Sequence, residues 1–161
     1  MTEAEQPPFM KVVLWAAILL GSMIVVLILH FISWNIGISV YGWSTSSFGR
    51  DTALLIGWGI VVPAIIIVLA IVGTKIYEQT KIITLLFGIA FAALGTLIAI
   101  VSGVQIAVQT GDLIIKAVTE PLVAPFYVVF VIMSAIGVVF GLLIGFKGKA
   151  VINYYYEKLA S

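Results

Sequence analysis

Residues 82–107 read IITLLFGIAFAALGTLIAIVSGVQIA, with no charged side chain among them. A run this long and apolar matches a helix crossing the hydrocarbon layer of a membrane, which takes about 20 mostly apolar residues. Within it, Gly88, Ala92, Gly95, Ala99 and Gly103 recur at steps of four, three, four and four. Those steps keep small residues on one helical face. The stretch therefore predicts a spanning helix that offers a close-packing groove.

The same reading extends outward in both directions. The chain is free of charge between Lys11 and Arg50, Asp51 and Lys75, Lys81 and Asp112, and Glu120 and Lys147. Four spans are predicted, at about 12–33, 53–74, 82–107 and 122–146, forming a single transmembrane domain over 1–161. The fold class expected is an all-α four-helix bundle, up-down-up-down. Composition agrees, since 63% of the 161 residues are hydrophobic and 9% charged. A soluble chain has about 45–50% and about 25%, and a domain this small cannot hide the excess in a core. The first apolar run is too long for a signal peptide, and the preceding MTEAEQPPFMK carries two Glu against one Lys, so a retained span is expected there.

Four spans leave both termini on one side. That side carries Lys11, Lys75, Lys81, Lys147, Lys149 and Lys158, and the other carries Arg50 and Lys116. The excess predicts cytoplasmic termini in a cell membrane. Trp34, Tyr41, Trp43, Phe126 and Tyr127 then fall at the outer interface, and Tyr77 and Tyr154–Tyr156 at the inner one, as amphipathic rings prefer.

The connections are short. TKIYEQTK (74–81) makes neighbours of spans two and three. In QTGDLIIKAVTEP (109–121), Asp112, Lys116 and Glu120 lie four apart. This spacing predicts a short interfacial helix between spans three and four, with the three charges as a solvated, paired stripe. Pro121 is expected at the first position of span four. At the C-terminus, Val151, Ile152, Tyr155 and Leu159 predict a continuation of span four or an interfacial helix.

Span four carries its own small-residue seam, Ser134, Gly137, Gly141 and Gly145, and span one a shorter one at Ala17 and Gly21. Apolar burial does little to join helices in lipid, so close approach at such residues matters. Spans three and four are expected to pack through these seams, although the same grooves would also fit a partner's helix. Pro63 in the middle of span two removes a backbone bond.

One polar stretch stands apart. HFISWNIGISVYGWSTSSFGRD (30–51) holds the only histidine, the only arginine and two of four tryptophans. His30, Trp34, Asn35, Trp43, Arg50 and Asp51 are a candidate outer site for a ligand or lipid. Each also has a structural role to fill. Trp34 and Asn35 mark the end of span one, and IGISVYGW is read as extended on the interface. STSSFG is a turn, and Asp51 or Thr52 is read as the cap of span two. Arg50 would reach lipid phosphate, and His30 would be a packing residue.

The missing chemistry is equally informative. The chain has no cysteine and one histidine, which leaves no thiol nucleophile, imidazole metal cluster or paired haem ligands. No ionisable group lies deep in a span, where ion-coupled carriers keep them. No metal, cofactor or nucleic acid is expected, and the chain leans away from enzymes. The arrangement resembles the tetraspan class, claudin-like proteins included, in topology alone. It lacks that family's cysteine pair and longer first loop, so no function is carried over. The expected function is a non-catalytic accessory subunit of a larger membrane complex, in contact with lipid and with other subunits or itself. The alternatives are a homo-oligomeric channel or transporter for a small solute or ion, and a membrane ligand binder or enzyme using the His30/Arg50 cluster.

Overall fold

The computed structural model describes residues 9–45, 47–76 and 81–160. Residues 1–8 and Tyr77, with most of the expected inner loop, lie outside them. The described residues form five α-helices and no strand. They are α1 (Phe9–Tyr41), α2 (Phe48–Ile56), α3 (Val62–Ile76), α4 (Lys81–Thr119) and α5 (Ala124–Ala160), with a π-helical turn at Gly57–Val61 joining α2 to α3. Together they supply four helical stretches long and apolar enough to cross a membrane: Phe9–Tyr41, Phe48–Lys75, Ile82–Thr119 and Ala124–Glu157.

The helices outrun the predicted spans. At 1.5 Å per residue, α4 with 39 residues measures about 58 Å, against about 30 Å of hydrocarbon. The separate interfacial helix expected within 109–121 is instead the C-terminal end of α4, which runs to Thr119. Pro121 lies in a turn rather than opening α5; Val123 N–H donates to the Glu120 carbonyl, and Phe126 N–H to that of Val123. Pro125 sits in the first turn of α5, where its missing N–H is not needed. At the other end α5 runs on without a break through Tyr154, and Tyr155 is buried in the core beside Val151.

The stretch read as extended, 36–41, is helical. Its alternating Ile36, Ile38 and Val40 are outweighed by His30, Ser33, Trp34 and Gly37, which follow the helical period and turn inward. The helix stops at Gly42, whose φ of 68° is left-handed and whose N–H donates to the Ile38 carbonyl. Glycine takes that conformation without a Cβ penalty.

The α4–α5 seam is built almost from backbone. A Cβ on Gly95 would lie 2.6 Å from the Gly141 carbonyl oxygen and 2.7 Å from Gly145 Cα. One on Gly141 would lie 2.8 Å from Gly95 O and 3.0 Å from Ala99 Cα. Further along, Gly88 meets Ile152 and Gly148 meets Ala92, so the two helices run antiparallel. Small residues allow this approach. Gly148, between Lys147 and Lys149, extends the seam beyond the residues picked from sequence. Gly103 stands outside it, exposed, with nothing within 4 Å of a Cβ placed there. At 100° per residue it is rotated about 60° from Gly88.

The other contacts are side chains. Phe9, Val12, Ala16, Leu19, Met23 and Val26 line the buried face of α1. They meet Ile66 and Ala70 of α3, Phe91 and Ile98 of α4, and Ile144 and Val151 of α5 in one core. Gly59, in the π turn, lets Met23 approach; a Cβ there would fall 2.7 Å from Met23 Cβ. Pro63 lies buried just after this turn. The turn absorbs the backbone bond that a proline cannot donate, with Val62 N–H reaching the Gly57 carbonyl. The hydroxyls of Ser22 and Thr96 donate to the carbonyls of Leu19 and Ala92 on their own helices.

Candidate functional site

The end of the bundle at the α4–α5 turn gathers the polar stretch around a cavity. Because α1 continues to Tyr41, the Gly42 turn folds the chain back and lays the Trp43 ring against Gly37. Trp43 N–H donates to the Gly37 carbonyl at 3.2 Å. The Trp34 and Trp43 centroids are 5.4 Å apart. Phe48, opening α2, stacks on Trp34 at 4.8 Å and on His30 at 5.6 Å with planes only 8° apart. Phe130 of α5 closes on His30 at 6.0 Å. The histidine is therefore held between aromatic rings from two other helices.

The charged residues after 111 enter the same assembly. Lys116 Nζ bonds Glu120 Oε1 at 2.8 Å, and their side chains are only 21% and 17% exposed. The same Nζ lies 4.3 Å from the Trp43 ring centroid, within cation–π range. Of the expected solvated stripe, Lys116 and Glu120 are thus largely buried, with the returning Trp43 lying over Lys116. Leu122 N–H donates to Tyr41 Oη at 3.1 Å, tying the end of α1 to the α4–α5 turn.

These groups enclose a cavity of about 320 Å³ lined by His30, Trp34, Trp43, Asp51, Glu120 and Tyr127, with Ser47 at an exposed edge. Three lining residues each carry a buried polar atom without a hydrogen-bond partner among the described residues: His30 Nε2, Trp43 Nε1 and Glu120 Oε2. Such an atom costs about 1–3 kcal/mol, and these three are sealed against neighbouring side chains; the polar lining of the cavity itself comes from His30, Asp51, Lys116, Glu120 and Tyr127.

The residues singled out from sequence divide. His30, Trp34, Trp43 and Asp51 line the cavity. Asn35 is exposed and donates to its own helix at Phe31 O. Arg50 is exposed and pairs loosely with Asp51, Nε to Oδ1 at 3.6 Å. Asp51 and Thr52 do not cap span two, since α2 begins at Phe48 with Ser47 in the cap position and no side-chain capping bond. Lys116, Glu120 and Tyr127 also line the site; in the sequence the first two showed as an i,i+4 charge pair and Tyr127 as an interface aromatic, with nothing to join them to His30.

Below the cavity lies a second concavity of about 460 Å³ between α2 and α4, which also involves His30, Asp51 and Tyr127. Arg50 and Asp112 stand at its outer end, and Leu54, Trp58, Ile100 and Val104 line it deeper in. It exists because α3 packs on α4 whereas α2, beyond the π turn, does not pack there to a comparable extent.

No protein-family model, curated protein or solved structure matches this chain.

Proposed function

We propose that the chain is a non-catalytic multi-pass membrane protein that works by binding, with the outer cavity as its site. The observation that carries this is the convergence of His30, Trp43, Asp51, Lys116, Glu120 and Tyr127, from α1, α2, α4 and α5 and the turns after α1 and α4, on one cavity of about 320 Å³. That volume lies within the range of small-molecule sites. The orientation belongs to the same proposal: an up-down-up-down bundle in the cell membrane with both termini cytoplasmic, supported by the lysine distribution and by the antiparallel α4–α5 pairing. Native mass spectrometry of the chain extracted in mild detergent tests the binding. The wild-type protein retains a small-molecule adduct, and Ser47→Trp, which fills the cavity from an exposed edge, loses it. Identical spectra for the two proteins remove the reading.

A second reading, an accessory subunit within a larger complex, is favoured by one observation. The seam of α4 continues internally through Ser102, against which Gly137 packs, to Gln109, whose Oε1 accepts from Ser134 Oγ, but it leaves one side of the helix uncovered. Gly103, Ala107 and Gly111 then form an exposed small-residue face on its outer half, with open space beside both glycines. A partner's helix would fit there. Gly103→Leu combined with Gly111→Leu tests it: the isolated chain folds as before and co-purifying membrane subunits are lost. Unchanged co-purification sinks it. The channel reading has no comparable support, because Ser22 and Thr96 spend their hydroxyls on their own helices.

A further inference from the structure

The cavity and the trough below it share His30, Asp51 and Tyr127, so a molecule could occupy both at once. Their chemistry is graded along the membrane normal. The outer end offers carboxylates, an imidazole and a phenol, and the inner end offers Leu54, Trp58, Ile100 and Val104, with Gln105 between them. From Ile100 to Asp112 the trough follows about 18 Å of α4, more than half the hydrocarbon thickness. A soluble polar molecule would leave this length unused, and an alkane would leave the outer groups unsatisfied.

Charge then selects the head. Across both concavities the acidic groups are Asp51, Asp112 and Glu120, and the basic ones are Arg50 and Lys116. Lys116 is already committed to Glu120 and Trp43, and Arg50, 79% exposed, points its charge largely into the surroundings. Asp51 and Glu120 are the partners of those two cations, which leaves Asp112 as the acidic excess; a lining with no uncommitted buried cation disfavours a phosphate head, and its carboxylate oxygens accept hydrogen bonds from hydroxyls. We infer that cavity and trough together hold one hydroxyl-headed amphiphile, its head at His30, Asp51 and Tyr127 and its tail along Leu54, Trp58 and Val104. The inference rests on the reading of the outer cavity as a binding site and adds to it the class of ligand. Two sources share this chemistry, a quinol with an apolar tail and a neutral lipid with a glycerol head.

The test is native mass spectrometry of the full chain titrated with four kinds of probe: a decyl-tailed benzoquinol, a decanoyl monoacylglycerol, a phosphatidic acid, and the tail-less hydroquinone and glycerol. At least one hydroxyl-headed probe with a tail binds saturably at one per chain, and whichever binds identifies the source. Phosphatidic acid and the tail-less heads bind about tenfold or more weaker. Leu54→Trp and Val104→Trp, at positions 48% and 59% exposed, fill the trough without crowding the core, and each weakens the tailed probe about tenfold. Their melting temperatures in detergent match the wild-type value, which separates lost binding from lost folding. Absence of saturable binding by both tailed hydroxyl probes overturns the inference, as does equal binding of phosphatidic acid. If the tail-less heads bind as tightly, remain sensitive to Ser47→Trp and ignore Val104→Trp, the amphiphile falls and the cavity reading stands. If no probe binds and Ser47→Trp leaves the retained adducts unchanged, both fall.

Discussion

The ammonium of Lys116 lies 4.3 Å from the centre of the Trp43 ring and 2.8 Å from Glu120 Oε1, so one cation joins the end of α4 to the turn after α1. Both partners of the ion pair are four-fifths buried or nearly so. Removing one leaves the other without its counter-charge. Glu120→Gln and Lys116→Met should each destabilise the chain by about 2 kcal/mol or more, whereas the double variant should lose less than the sum. Denaturant unfolding in mild detergent, run as a double-mutant cycle, checks this; strictly additive losses would refute the coupling.

The glycine seam makes a sharper contrast. Gly95→Ala pushes a methyl into the backbone of Gly141 and Gly145 and should cost about 3 kcal/mol. Gly103→Ala, about two turns nearer the outer end but free of neighbours, should gain a few tenths to about 1 kcal/mol from helix propensity. The same unfolding assay compares them, and equal effects would mean the seam is not where the backbone contacts place it.

At the end of α1, Gly42→Ala places a Cβ in the left-handed region, at φ 68°. The cost should be about 1–2 kcal/mol. The substitution should also loosen Trp43, which hangs on this turn, and shift its fluorescence to the red. Gly37→Val, which crowds the Trp43 ring directly, should give the same spectral change with α1 otherwise intact. No spectral change in either variant would refute the link between the turn and the ring.

Orientation can be read cleanly because the chain contains no cysteine. Thr45, in the turn before α2, and Lys149, near the other end of the bundle, are both exposed. A single cysteine replacing Thr45 should react with a membrane-impermeant maleimide in intact cells, and one replacing Lys149 should react only after permeabilisation. The opposite pattern would overturn the cytoplasmic placement of the termini.

The number and order of the membrane-length helices were legible, because charges are absent from long blocks and present only between them. The seam from Gly88 to Ala99 and from Gly137 to Gly145 was legible too, since small residues at helical steps have few other uses in lipid. Helix ends were harder. A spanning length says where a helix must be apolar and not where it must stop, so α1 and α4 continue past the layer that defined them. The alternation of Ile36, Ile38 and Val40 concealed the helical spacing of His30, Ser33, Trp34 and Gly37, and the true stop signal was Gly42. The burial of Lys116 and Glu120 was not readable locally, because Trp43, which lies over Lys116, comes far earlier in the chain.

The seam between α4 and α5 carries a consequence for the order of assembly. Glycines have no side-chain rotamers to freeze, so bringing these two backbones together sacrifices little conformational entropy. Only the short turn at 120–123 separates the helices, and contacts that close over so little chain form early. Pairing of α4 with α5 ahead of α1 and the π-interrupted second span is the expected order once the helices have formed, since the turn is then the only loop to close. Destabilising substitutions in the seam should slow refolding, while those at Met23 or Ile66 should mainly hasten unfolding.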